Sequence, residues 1–83
     1  MILKRLSLSS TIREVWNDDK TICYGLVGTV GNLKKANMIE NYNYPKDTWF
    51  FIPCMNVNLT GISYGLTRDI ALKPLKEYIR TQK

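Results

Sequence analysis

Ile22-Cys23-Tyr24-Gly25-Leu26 recurs forty positions later as Ile62-Ser63-Tyr64-Gly65-Leu66, with four identities in five. Each copy is a β-favouring apolar run, and each is followed by a Leu-Lys segment with helical spacing. The same offset aligns Ile12 with Ile52, Val15 with Met55, Val30 with Ile70 and Ile39 with Ile79. Such a period points to one β-β-α unit used twice, over residues 11–40 and 51–80. The competing explanation is coincidence between two similar buried strands.

Working outward from the first copy, Thr21 to Thr29 reads as the best strand of this half. Ile22, Tyr24 and Leu26 are assigned to one face and Cys23, Gly25 and Val27 to the other. Apolar groups on both faces call for a central strand covered twice. Before it, Asn17-Asp18-Asp19-Lys20 has turn chemistry, so the segment 11–16 is read as the first arm of a hairpin. A short helix opened by a Thr11–Glu14 capping box is the alternative. After it, Gly28 and Gly31 break the strand, and Asn32 is expected to cap a helix with Leu33, Ala36 and Ile39 or Met38 inward.

The N-terminal residues 2–8 mix apolar and basic side chains and read as an edge strand guarded by Lys4 and Arg5. The second half opens with turn-forming residues 43–47, followed by the apolar run 49–52 that Pro53 stops. Alternation over 55–60 predicts a half-exposed strand ahead of the second copy of the repeat. Thr67 is expected to cap the last helix with Asp69 in its first turn. Pro74 favours either a short turn ahead of the main helix or a start near Lys73. The expected fold is α+β, a single small domain over residues 1–83. It is a mainly antiparallel sheet with two short helices on one face.

Composition narrows the function. No apolar run approaches the ~18 residues of a membrane span, and the first eight residues lack the pattern of a signal peptide. A cytoplasmic setting follows, with Cys23 and Cys54 read as free thiols in the core. Their spacing fits neither a zinc pair nor a redox CxxC, and a disulfide between them is the alternative. Ile, Lys and Asn fill 23 of the 83 positions, a bias typical of AT-rich bacterial or phage genes. Histidine is absent, which removes the side chain most used for acid–base work and for holding metals. No catalytic residues, metal ligands or cofactor are assigned, and the chain is expected not to be an enzyme.

Charge is the strongest remaining signal. Of the net +5, residues 68–83 carry +3, from five basic against two acidic side chains. Lys73, Lys76 and Arg80 share one side of the last helix, and Lys34 and Lys35 hold the corresponding place in the first. If both helices lie on one face, these residues form a continuous surface for a phosphate backbone. Tyr42, Tyr44 or Trp49 would then stack on the bases of a nucleic acid. The plainer explanation of the lysines is solvation of outward helix faces. The leading expectation is thus a binding module for an anionic partner, most simply nucleic acid. The alternative is a protein–protein module, such as a phage-encoded inhibitor of a host protein or a homo-oligomer. It would use the aromatic segment 42–51 or an open sheet edge. A small phosphorylated ligand held near Gly28 to Asn32 is the weakest of the three.

Overall fold

The structure is a computed structural model that describes residues 1–5, 12–40, 43–55, 57–59 and 61–81. Five strands, β1 (Ile2–Arg5), β2 (Arg13–Trp16), β3 (Cys23–Thr29), β4 (Trp49–Pro53) and β5 (Ser63–Gly65), form one sheet. Their order in space is their order in the chain, and every pairing is antiparallel. Helix α1 (Val30–Lys35) follows β3 and α2 (Arg68–Thr81) follows β5.

The hairpin reading of residues 11–22 holds from β2 onward, and Asn17 is the reason. Its side-chain carbonyl accepts from the amides of Thr21 and Ile22 at 2.8 and 3.0 Å, and its own amide donates to the Ile22 carbonyl. Lys20 takes the left-handed conformation that closes the turn. Central placement of β3 also holds, and β1 is an edge strand carrying Lys4 and Arg5. Its expected extension past Arg5 lies outside the described residues.

The two helices lie on opposite faces of the sheet, not on one. Side chains alternate along a strand, so Phe50 and Phe51 enter different cores. Phe50 is buried with Ile12, Val30 and Leu33, and Ile39, Ile52 and Ile62 pack against this α1-side set. Phe51 is buried with Val15, Val27 and the α2 residues Ala71, Leu72 and Leu75. The result is three layers, α1, sheet and α2. Each aromatic side chain contributes about 2–3 kcal/mol of burial to its own layer.

The repeated glycine serves two different purposes. Gly25 has φ +150°, and a Cβ there would stand 2.1 Å from the Ile52 carbonyl oxygen. It lies at a bulge where Val15 pairs with Gly25 but Trp16 pairs with Cys23, leaving Tyr24 as the extra residue. Gly65 instead makes room for α2, since a Cβ there would sit 2.3 Å from Ile70 Cγ2. The element order β-β-α does occur twice after β1. The two stretches nevertheless differ in strand length, in helix length and in the face their helix covers.

Other local expectations shift. Helix α1 begins at Val30 rather than after Asn32, whose amide nitrogen instead donates to Thr29 Oγ1 at 3.1 Å. It stops after six residues because Asn37 turns left-handed at φ 57°. The amides of Asn37 and Met38 then donate back to the Lys34 and Leu33 carbonyls, which closes the helix end. No strand forms over the described part of 55–60. Pro53 ends β4, the Val57 amide donates to the Cys54 carbonyl, and Val57 is buried while Met55 is fully exposed. Thr67 caps α2 through its Oγ1, which accepts from the Ile70 amide at 3.2 Å. The helix then runs through Pro74 without a break. Pro74 lies on the exposed side, where water can satisfy the carbonyl left without a partner, while Ala71, Leu72 and Leu75 anchor the buried side.

Candidate interaction surface

The basic residues do not converge. Lys34 and Lys35 end α1 on one side of the sheet, and Lys73, Lys76 and Arg80 lie on α2 on the other. Two of the α2 cations also have carboxylates beside them. Lys76 Nζ is 3.6 Å from Asp69, and Arg80 pairs with Glu77. Exposed pairs of this kind add about 0–1 kcal/mol to stability, but they reduce the positive field a phosphate would meet. Lys73 is exposed on the same helix.

The aromatic residues are divided in the same way. Trp49 is half-buried against the α2-side core, with the Arg68 guanidinium 6.0 Å from its ring centroid. Tyr44 belongs to the α1 side. Its ring meets Phe50 edge-on at 5.2 Å and lies 5.1 Å from Tyr64 at a tilt of 47°. Such ring pairs are worth about 0.5–1.5 kcal/mol beyond the area they bury. Tyr42 lies outside the described residues. Trp49 and Tyr44 therefore do not form one stacking platform.

The start of α1 is already occupied. The Val30 amide donates to the Thr48 carbonyl at 2.8 Å and the Gly31 amide to the Lys46 carbonyl at 3.0 Å. These bonds fasten the turn before β4 to the helix and use two of the donors a phosphate would need.

What gathers instead is an apolar margin along β5, which sequence reasoning did not single out. Tyr64 is 57% exposed, Leu66 85% and Ile70 49%. Tyr44, Phe50, Ile62 and Tyr64 line a shallow depression of about 220 Å³ on the α1 side. Met38, Ile39 and Ile52 continue it past Ile62. Leu66 and Ile70 flank the strand where α2 begins. Among the described residues no strand pairs with the outer edge of β5. The contrast with β1 is chemical: that edge carries Lys4 and Arg5, whereas residues 61–66 include no charge. That uncharged run was the signal available in the sequence.

Two further open depressions carry charge: one of about 430 Å³ includes Arg68 and Asp69, and one of about 270 Å³ includes Lys35, Lys46 and Asp47. The cleft lined by Ile2, Lys4, Trp16 and Lys20 encloses about 90 Å³, well below the ~300 Å³ at which small-molecule sites begin. Among the described residues there is no cluster of three metal-ligating side chains, and no helix is long and apolar enough to cross a membrane. Comparison with known protein families, curated proteins and solved structures finds no match.

Proposed function

We propose that the chain is a non-enzymatic binding module that docks protein along the β5 margin of its sheet. The simplest occupant is a second copy of itself. The observation that carries this reading is the uncharged, outward-facing edge of β5 flanked by exposed Tyr64, Leu66 and Ile70. A strand edge offers backbone donors and acceptors that another strand can take up, and apolar flanks add area. Two identical edges related by a two-fold axis pair antiparallel and are self-complementary. A pair centred on Tyr64 sets the uncharged residues 61–66 of one copy against those of the other, with Arg68 and Asp69 at the rim beside Leu66.

Sedimentation velocity over a wide concentration range tests this. A dimer is expected that persists at high salt, and Tyr64→Lys or Leu66→Asp should return the chain to monomer with its circular dichroism unchanged. A natural chain that stays monomeric at every concentration would refute the reading.

A second reading, nucleic-acid binding, is supported by one feature of the α1 side. Lys35 and Lys46 line a common depression there, together with Asp47. In this version Lys34, Lys35 and Lys46 meet phosphates while Tyr44 and Tyr64 stack, and Lys73, Lys76 and Arg80 stay outside the contact. Binding to single-stranded oligonucleotides should then weaken steeply with salt. The double variant Lys34→Glu/Lys35→Glu should abolish it without affecting dimer formation.

A further inference from the structure

Cys23 and Cys54 take no part in the β5 margin, and their arrangement is unusual for two residues 31 positions apart. Both are free and half-buried, and the Cys54 Sγ–H donates towards Cys23 Sγ across 3.9 Å. Regular strand alternation would separate them. Gly25 pairs with Pro53, so Tyr24 is the residue opposite Cys54, and the Cys54 amide donates to the Tyr24 carbonyl at 2.9 Å. The bulge removes Tyr24 from the alternation, and its ring packs against the α2-side core. Cys23 instead pairs with Trp16 and turns to the side that Cys54 occupies. The backbone at Gly25 is thus what brings the two sulfurs into van der Waals contact.

We propose that Cys23 and Cys54 are an intramolecular dithiol that exchanges with low-molecular-weight disulfides of the glutathione class. A disulfide needs the sulfurs at about 2.05 Å, so from 3.9 Å each has to move by about 1 Å. In the first step one cysteine thiolate attacks a sulfur of oxidised glutathione. The glutathione S–S bond breaks, a mixed disulfide forms, and one glutathione leaves as a thiolate that takes up a proton from solvent. In the second step the other cysteine gives its proton to solvent and attacks the cysteine sulfur of the mixed disulfide. The second glutathione leaves as a thiolate and takes up a proton. Two cysteine thiols have become one disulfide, and one glutathione disulfide has become two thiols.

The order of attack follows from the surroundings. Burial, the contact with Cys23 and the charge of Glu14 all raise the Cys54 thiol above its ordinary range. Cys54 therefore keeps its proton to higher pH than an ordinary cysteine, which suits it to the second, resolving step.

The experiment uses the full chain in glutathione buffers of rising oxidised fraction, quenched by alkylation and read by intact mass and non-reducing electrophoresis. Both alkylatable thiols should vanish together, leaving a chain two hydrogens lighter with no interchain bond. The oxidised form should melt about 10 °C higher than the reduced one. Cys54→Ser should stop at a mixed disulfide on Cys23. Two thiols still alkylatable in fully oxidised glutathione, accumulation of mixed disulfide in the natural chain, or predominance of interchain disulfides would each overturn the proposal. These readouts are independent of the sedimentation result, so failure of the dimer reading leaves this one standing.

Discussion

Phe50 and Phe51 are consecutive in β4 and yet sit in different cores, one shared with Leu33 of α1 and the other with Leu75 of α2. That single alternation makes the molecule three layers deep and separates its two basic helices. Truncating either ring removes a fully buried aromatic, and each of Phe50→Ala and Phe51→Ala should cost about 3–5 kcal/mol in urea unfolding. Loss of Phe50 should also change the environment of Tyr44, which rests edge-on against it, and near-ultraviolet circular dichroism would report this.

Pro74 interrupts the hydrogen-bond ladder of α2 without interrupting the helix. Pro74→Ala restores the missing donor at an exposed position and should stabilise the chain by up to about 3 kcal/mol. Equilibrium unfolding that shows no gain would mean the helix has adapted fully to the proline.

Gly25→Ala is predicted to be among the most damaging small substitutions. It places a Cβ against the Ile52 carbonyl and forces a side chain onto positive φ. A loss on the order of 3 kcal/mol is expected. Because the bulge aligns the sulfurs, the same variant should lose intramolecular disulfide formation even where it remains folded, as alkylation would reveal.

The reduced chain should lose stability in alkali. Cys54 holds its proton more tightly folded than unfolded, through burial, Cys23 and Glu14. Below the unfolded thiol value, about 8.5, both states are protonated and stability is complete. As the pH rises from there through the raised folded value, the unfolded chain binds fewer protons and stability falls. Unfolding measured at about pH 7 and about pH 10 should show this slope, and Cys54→Ser should lack that part of it.

Much of the sheet was legible because its signals are local. The Asn17 turn, the charged edge at Lys4 and Arg5, the apolar run ended by Pro53 and the Thr67 cap each act within a few residues. What misled were patterns whose outcome depends on partners distant in the chain. Alternation after Met55 resembles a strand, but Pro53 has ended the ladder and Val57 turns back towards Cys54. Proline in α2 resembles a boundary until the anchoring of Ala71, Leu72 and Leu75 is counted. The side on which each helix lands follows from the parity of the residue leaving its strand, and a single bulge resets that parity. Lys35, Lys73, Lys76 and Arg80 are exposed and Lys34 is half-buried, but their helices lie on opposite sides of the sheet. The β5 margin is hard to see in the sequence because Tyr64 and Leu66 fit the repeat as well as they fit an edge.

Because the strands stack in chain order, each pairs with its neighbour in the sequence, a local topology that favours rapid assembly. The last hairpin arm is held by three residue pairs, Trp49–Gly65, Phe50–Tyr64 and Phe51–Ser63. It follows that in the monomeric chain the β5 amides should exchange with solvent earlier than those of β2 and β3, which stay protected until the whole chain opens.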